Sequence, residues 1–233
     1  MKAINRLIIL CMAIYALAVT ATAQTTWKLS RDLLATNNQI SFNQGANGVW
    51  YFLQSSSFRH LPKTYEFLAA YLEPCVPSGT PPIDGLACWR NPIPAADGNQ
   101  LPLVAVNFTY VTQFPNLALG DPFGIPARSV VIHPGVSGLG IIGWKSPISG
   151  LVNVAGFFSD LDPICGNGVI WSVDKGSSTL TRGTIPNGGP PQTFSLVGVP
   201  VVAGQVLYLT IDPKSGDYAC DSTGVDVTIS VAH

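Results

Sequence analysis

The chain has 233 residues, of which 12 are lysine or arginine and 13 are aspartate or glutamate, giving a net charge of −1. Charged residues make up 11% of the chain and form no run of either sign, so nothing in it attracts nucleic acid or anionic lipid electrostatically. Glycine (23) and proline (19) are abundant, whereas glutamate occurs only as Glu66 and Glu73, a composition that favours strands joined by tight turns over helices.

The first 23 residues have the pattern of a secretion signal. Lys2 and Arg6 form a positive segment, residues 7–19 an apolar one, and Ala21-Thr22-Ala23 supplies the small residues that a signal peptidase requires. The apolar run has about 13 residues, whereas a membrane span needs about 20. Residues 1–23 are therefore predicted to be a signal peptide. Residues 24–233 are predicted to be one secreted, periplasmic or cell-surface domain without membrane insertion.

The first half of the mature chain predicts scattered strands separated by long connections. We expect an edge strand near Trp27 and Leu29, a buried strand at 49–54, a further strand at 65–72 and a clear one at 103–111. Residues 75–102 are rich in proline and glycine and are predicted to form a long irregular loop.

The second half has a regular pattern of short alternating segments separated by Gly, Asn, Asp and Pro, which is typical of a β-sandwich. Two short strands are expected at 129–133 and 139–144. Further strands are predicted near 151–158, 168–174, 178–182, 192–198, 205–211 and 225–231. In the last strand Val225, Val227, Ile229 and Val231 alternate with polar residues and should point inward. The sequence therefore predicts an all-β fold, an antiparallel jelly-roll β-sandwich.

The mature cysteines are Cys75, Cys88, Cys165 and Cys220, an even number in a chain that is predicted to enter an oxidising compartment. Four cysteines allow three pairings, and we favour Cys75–Cys88 with Cys165–Cys220. A tetrahedral zinc site is the alternative, but the spacings contain no close C-x-x-C pair.

Several stretches resemble a jelly-roll type found in bacterial secreted proteins. They are S-P-I-S-G-L-V-N-V-A-G-F-F at 146–158, G-N-G-V-I-W-S-V-D at 166–174, V-P-V-V-A-G-Q-V-L-Y-L-T-I-D-P at 199–213 and D-S-T-G-V-D-V-T-I at 221–229. This type is similar to carbohydrate-binding modules and related galactose-binding-like sandwiches, many of which have no assigned function. The resemblance implies a sandwich fold and a binding role. Its motifs are strand and turn signatures, which specify a fold better than a ligand.

Aromatic residues are the first candidates for ligand contacts, because the C–H face of a sugar ring packs well on an indole or phenol ring. Trp89, beside Arg90 in the predicted loop, is the leading candidate, followed by Trp50 and Trp144. Packing in the hydrophobic core is the alternative for each tryptophan.

A structural calcium ion is the second candidate. Asp160 and Asp162 precede Cys165, whereas Asp217 and Asp221 flank Cys220, so the favoured disulfide would bring four carboxylates together. The alternative is that each aspartate caps backbone amides of its own turn. No other cofactor is predicted.

The sequence predicts no enzyme. His60 and His133 are not accompanied by a G-x-S-x-G elbow. Glu66 and Glu73 would lie about 23 Å apart along a strand, too far to act as a glycosidase pair.

Three functional hypotheses remain, and each predicts a different surface. A non-catalytic domain that binds carbohydrate or another extracellular surface ligand predicts an exposed aromatic pair with Asn, Asp or Arg nearby. A structural or adhesive cell-surface protein that assembles through protein contacts predicts a large apolar patch or a free sheet edge. A hydrolase, the least favoured hypothesis, predicts two facing carboxyls in a cleft.

Overall fold

The structure is a computed structural model, and it describes residues 25–34, 49–71, 75, 85–93, 98–115 and 123–232. The predicted signal peptide, residues 1–23, lies outside these described residues. No helix within them is long and apolar enough to cross a membrane.

Strands are the predominant regular elements of the described residues, as the composition predicted. In the first half these are β1 (Thr26–Lys28), β2 (Trp50–Ser55), β3 (Tyr65–Phe67), β4 (Ala69–Tyr71), β5 (Leu86–Arg90), β6 (Leu103–Asn107) and β7 (Val130–His133). They continue with β8 (Leu139–Lys145), β9 (Gly150–Asp160), β10 (Val169–Lys175), β11 (Ser178–Ile185), β12 (Gln192–Val201), β13 (Val206–Asp212) and β14 (Thr223–Val231). A short helix, α1 (Leu29–Leu33), follows β1, and a single 3-10 turn covers Pro62–Thr64.

The strands form two antiparallel sheets that pack as a sandwich, which confirms the predicted fold class. The larger sheet has the order β12-β9-β14-β7-β6-β5-β4, and β1 also pairs with β14. The smaller sheet has the order β11-β10-β13-β8-β2-β3. Every strand pair recorded in either sheet is antiparallel.

One hydrophobic core fills the space between the two sheets. Alternate residues of each strand point into it, as the predicted inward positions Val225, Val227 and Ile229 show, since each is at most 2% exposed. Four aromatic pairs join the larger sheet to the smaller one, each worth about 0.5–1.5 kcal/mol beyond the area it buries. They are Phe158–Trp171 at 5.0 Å, Phe194–Trp171 at 5.7 Å, Trp89–Phe52 at 4.2 Å and Trp27–Trp144 at 5.3 Å between ring centroids.

The prediction of one strand at 65–72 was wrong, because the chain changes sheets there. β3 pairs with β2 in the smaller sheet, whereas β4 pairs with β5 in the larger one. Leu68 lies between the two strands and is 2% exposed. Its side chain is buried in the core at the point where the backbone passes from the smaller sheet to the larger one.

The prediction of an irregular loop across 75–102 was also wrong in part. Its middle forms β5, a fully buried strand within the larger sheet. The run L-A-C-W-R is apolar enough for a buried strand, but the prolines and glycines on both sides obscured it.

Two further predicted strands end early. Near Trp27 the strand stops at Lys28 and α1 takes over, burying Leu29 and Leu33. The strand predicted at 103–111 ends at Asn107, whose side-chain amide donates to the backbone oxygens of Val111, Ile125 and Pro126. Such side-chain bonds to the backbone compete with a strand ladder and favour a turn.

Both predicted disulfides are confirmed. Cys75 bonds to Cys88, and Cys165 bonds to Cys220, with Cα–Cα distances of 5.3 and 5.4 Å. All four cysteines are thereby committed to disulfides, so the alternative zinc site is ruled out.

Candidate functional site

The three predicted ligand-binding tryptophans lie in the core. Trp89 is fully buried, Trp144 is 1% exposed and Trp50 is 4% exposed, with its indole Nε1 donating to Asp32 Oδ2 at 3.0 Å. A ring that is enclosed on both faces by protein cannot stack on a sugar. The core alternative therefore holds for Trp89, Trp50 and Trp144, and we do not retain them as ligand contacts.

Arg90 lies on the opposite side of β5 from Trp89, because neighbouring residues of a strand point to opposite faces. It lines a cavity of about 320 Å³ on the outer face of the larger sheet. Leu103 on β6 is paired with Arg90, and His133 on β7 is paired with Leu103 on its other side. We call this the sheet cavity. Its other described lining residues are Cys75, Asn99, Gln100, Leu101, Ala105, Pro115, Phe123, Ile125, Val131, Asp162, Tyr218, Ala219, Cys220 and Ser222.

The described lining of the sheet cavity does not contain the carboxylate pair that a glycosidase uses. Asp162 is the one carboxylate among its described lining residues. Burial lowers the pKa of His133 to about 4, and its Nδ1 lies 2.7 Å from the Pro134 carbonyl oxygen. The imidazole is therefore neutral at ordinary pH.

The four predicted calcium ligands are only partly brought together. Asp160 accepts backbone amides of Asp162 and Gly188, and Asp217 accepts that of Ala219, so these two carboxylates behave as turn caps. Among the described residues, no group of three or more His, Cys, Asp or Glu side chains is arranged to hold a metal ion. The convergence of four carboxylates on one ion was therefore not found.

Asp221 nevertheless differs from the other aspartates. It is 3% exposed, and neither carboxylate oxygen accepts a hydrogen bond. Burial, together with the charges of Asp217 and Asp160, raises its pKa to about 8. A Cβ at Gly166 would lie 3.6 Å from Oδ1, and the side-chain oxygen of Asn167, the next residue after Gly166, is also buried without a donor.

The outer face of the smaller sheet carries an aromatic cluster that was not among the leading candidates from the sequence. Its members, Tyr51, Tyr65, Phe67 and Tyr208, are called the aromatic face. Tyr51 and Phe67 lie 5.8 Å apart between ring centroids at an interplanar angle of 37°, and Phe67 is 61% exposed. Tyr65 meets Tyr208 edge-on at 5.0 Å. The three tyrosine rings pack against the buried side chains of Leu53, Leu139 and Ile141.

The register of the strands brings two of these rings close together. Tyr208 and Tyr51 are both paired with Gly143 on the strand between them. Gly143 is buried, and a Cβ there would lie 3.1 and 3.3 Å from methyl groups of Val206 and Leu53 and 3.6 Å from the Tyr208 ring. The absence of a side chain on Gly143 therefore lets its neighbours pack closely over this strand.

A polar cluster adjoins the aromatic face on the same side of the sheet. His60 Nδ1 lies 2.7 Å from Asp174 Oδ2, which also accepts the hydroxyls of Ser172 at 2.8 Å and Thr210 at 3.2 Å. Burial acts to raise the pKa of Asp174, but its hydrogen bonds outweigh burial and lower it. The hydrogen bond between His60 and Asp174 also raises the pKa of His60.

His60, Asp174 and Ser172 do not form a catalytic triad. A triad places the serine and the carboxylate on opposite nitrogens of the imidazole. Here Ser172 Oγ donates to Asp174 and lies 3.4 Å from the same nitrogen, Nδ1, that the carboxylate contacts. Ser172 is also 3% exposed, so its hydroxyl cannot reach a substrate.

Comparison with solved structures finds carbohydrate-binding modules. A CBM51 module of Clostridium perfringens in complex with methyl-galactose is 10% identical, with a TM-score of 0.34, over 61% of this chain and 87% of that one. A second CBM51 module of that organism, in complex with GlcNAc, is 8% identical, with a TM-score of 0.36, over 66% of this chain and 40% of that one. A CBM36 module in complex with calcium and xylotriose is 13% identical, with a TM-score of 0.26, over 46% and 80%.

The sugars and the calcium in these structures belong to those proteins. No protein-family model matches the chain, and no curated protein is similar to it.

Sequence reasoning missed the aromatic face for an identifiable reason. Tyr51 and Phe67 sit on strands that the pattern could not assign to a sheet, so their shared face was not visible. The signal that could have found them is alternation, since Tyr65 and Phe67 share one side of β3, and Tyr51 and Leu53 one side of β2.

Proposed function

We propose that this protein is a secreted, non-catalytic domain that binds carbohydrate through the aromatic face. The predicted signal peptide and the two disulfides support an extracellular or periplasmic location. The ligand class follows from the chemistry of the aromatic face, and the similar solved structures add no contact of this chain.

One observation carries the proposal: Phe67 is 61% exposed on a sheet surface, and its ring lies beside that of the half-buried Tyr51. Monomeric proteins bury large aromatic rings where they can, because each ring removes a large apolar area from water. A ring that is open to solvent beside a second, partly exposed ring provides the apolar platform on which a pyranose C–H face packs. Tyrosine adds a hydroxyl that can bond to the rim of the sugar.

The rest of this surface suits a chain of sugars. Six strands at about 4.8 Å spacing give a face about 24 Å wide. Phe67 lies on the strand at one edge, and the exposed Arg182 lies on the strand at the other, beyond Asp212 on β13. A glycan that lies across the strands would meet aromatic rings first and charged hydrogen-bonding groups at its far end.

The experiment is retention of the protein on a panel of insoluble and soluble polysaccharides. We expect the wild type to be retained on at least one neutral polysaccharide, and Phe67→Ala to be retained about tenfold less, since one aromatic contact is worth about 0.5–1.5 kcal/mol. Phe114→Ala is the matched control, because Phe114 is 45% exposed but lies in the loop after β6. Absence of retention on every polysaccharide would contradict the proposal, as would equal retention of Phe67→Ala.

The structural or adhesive alternative has one observation in its favour. β12 lies at an edge of the larger sheet, and Val197 and Val202 beside it are 82% and 60% exposed. However, its ladder is interrupted between Leu196 and Val199, and Pro200 has no N–H to donate. Bulges and prolines are features that protect an edge from pairing, so a monomer by light scattering is expected, and a concentration-dependent polymer would favour the alternative.

We also propose a structural calcium ion at Asp221. A buried carboxylate that lacks donors and is repelled by neighbouring carboxylates is costly, and a divalent cation would remove both costs. Asn167 would add its side-chain oxygen, and backbone or water oxygens would complete the shell. Asp160 and Asp217 would act through their charge.

A further inference from the structure

We propose that the sheet cavity is a second binding site, distinct from the aromatic face, for a neutral molecule the size of a single ring. The molecule has an apolar body and an uncharged polar head, such as an amide or an alcohol. The two sites lie on the outer faces of different sheets, so the cavity proposal does not depend on glycan binding.

The apolar body is specified by the floor of the cavity. Residues of β6 and β7 that point away from the core, Leu103, Ala105 and Val131, form this floor. Phe123 and Ile125 form an apolar wall beside it, and both are at most 8% exposed. The volume of about 320 Å³ is at the lower limit of the range for small-molecule pockets, so it suits one ring and not an extended polymer.

The polar head is specified by one end of the cavity. Arg90 and His133 are both paired with Leu103, one on each side, so they lie at the same level of the sheet. Tyr218 faces His133 at 6.4 Å between rings, and Asp162 comes from the loop after β9. This end therefore contains both donors and acceptors, which an amide or hydroxyl can use together.

The absence of charge on the ligand follows from the electrostatics of the lining. Arg90 and Asp162 bring one charge of each sign, and they are 8% and 4% exposed. His133 is neutral because burial lowers its pKa to about 4. The formal charges of the described lining therefore cancel, and an ionised ligand would lose its hydration without meeting an excess of opposite charge.

The cavity is also held open before any ligand binds. Cys75 on one wall is tied to the sheet by its bond to Cys88, and Cys220 on the other is tied to Cys165. Walls that are fixed covalently do not have to be ordered on binding, which favours affinity for a small ligand.

The experiment is a calorimetric titration of the wild-type protein with one-ring probes that differ in charge. We expect benzamide and benzyl alcohol to bind saturably, at least about tenfold more tightly than benzoate and benzylamine. Tighter binding of either ion would overturn the assignment of a neutral head. Saturable binding of glucose without binding of benzamide would overturn the apolar body.

A pair of matched variants tests the location. Ala105→Leu fills the floor of the cavity, whereas Ala155→Leu adds the same group to an exposed position on the outer face of the same sheet. We expect Ala105→Leu to weaken benzamide binding at least about tenfold and Ala155→Leu to leave it unchanged. Equal affinities would place the ligand elsewhere.

A second measurement keeps the test valid if Ala105→Leu does not fold. Methyl NMR of the wild type should show benzamide-dependent shifts at Leu103 and Val131, and none at the exposed Leu151. Shifts at Leu151 alone, or no saturable shift, would refute the site. Polysaccharide retention by Ala105→Leu should equal that of the wild type, so failure of the cavity proposal and failure of glycan binding remain distinguishable.

Discussion

His60 Nδ1 lies 2.7 Å from Asp174 Oδ2, and this contact fastens the segment that precedes β3 to the outer face of the smaller sheet. Asp174 is fully buried, and its other hydrogen-bond partners, including Ser172 and Thr210, are uncharged. His60 is thus the nearby group that can match its negative charge.

The contact predicts a pH-dependent stability. The pKa of His60 is raised in the folded state. Its contribution to folding stability is therefore complete below about pH 6.5 and is lost as the pH rises through the folded-state pKa. The pKa of Asp174 is lowered, so its contribution is present above about 3.8 and is lost as the pH falls further. The pair should therefore stabilise the protein most between about pH 4 and 6.5.

The measurement is thermal unfolding of the wild type and His60→Gln at pH 5.5 and pH 8.5. We expect the loss of Tm in His60→Gln to be about 2–4 °C larger at pH 5.5, since His60 is partly exposed and its pair is screened. Lys63→Gln, at an exposed position nearby, should show no such difference. A loss that is equal at both pH values would contradict the charge pairing.

Trp89 is predicted to affect stability and not ligand binding. It is fully buried against Phe52, so Trp89→Ala should lower the free energy of unfolding by about 3–5 kcal/mol. Phe67→Ala, which removes an exposed ring, should change it by less than about 0.5 kcal/mol. Urea unfolding measures both, and a Trp89→Ala protein of unchanged stability would refute its place in the core.

The two disulfides should contribute unequally. Cys165–Cys220 spans 55 residues and Cys75–Cys88 spans 13, so loop-closure entropy predicts losses of about 4 and about 3 kcal/mol when each pair is replaced by serine. Urea unfolding of the two double variants gives the difference directly. A larger loss from the shorter loop would show that local packing, and not chain entropy, determines the contribution.

The buried Asp221 should make the folded protein less stable at alkaline pH, and calcium should reverse that loss. Its folded pKa of about 8 lies above the unfolded value of about 3.8, so the folded state binds the extra proton and loses stability as the pH rises between them. Asp221→Asn should therefore raise Tm, by at least about 4 °C at pH 8.5 in EDTA and by little at pH 4.

Calcium should raise the Tm of the wild type at alkaline pH, as the Asp221→Asn substitution does. Millimolar calcium at pH 8.5 should raise the Tm of the wild type and leave that of Asp221→Asn unchanged, because the variant lacks the carboxylate. Magnesium serves as the control ion, since it requires a smaller and more regular shell. An equal response of both proteins to calcium would refute the site.

Much of the fold could be predicted because the second half of the chain is locally consistent. From β9 to β14, alternation, turn residues and apolar character all indicate the same strands, and each predicted strand is present. The first half is different because its short strands change sheets. The exchange at Leu68 and the strand hidden at Leu86–Arg90 depend on contacts with distant residues, which a local pattern does not contain.

The candidate site could be predicted less well, for the same physical reason. An exposed tryptophan and a buried one have the same sequence signature, and the proline-rich surroundings of Trp89 suggested a loop when the residue lies in the sheet. The neighbouring Arg90 does line a cavity, because alternation turns it to the other face of β5. Phe67 and Tyr51 become neighbours only through the pairing of Leu53 with Phe67 on adjacent strands.

The central claim, that glycan binds on the aromatic face, is tested most directly by aromatic NMR of the protein titrated with the polysaccharide that retains it best. We expect saturable shifts of the Tyr51 and Phe67 ring signals, with the signals of Phe114 and of the core residue Trp89 unchanged. Saturable shifts that spare Tyr51 and Phe67 would contradict it.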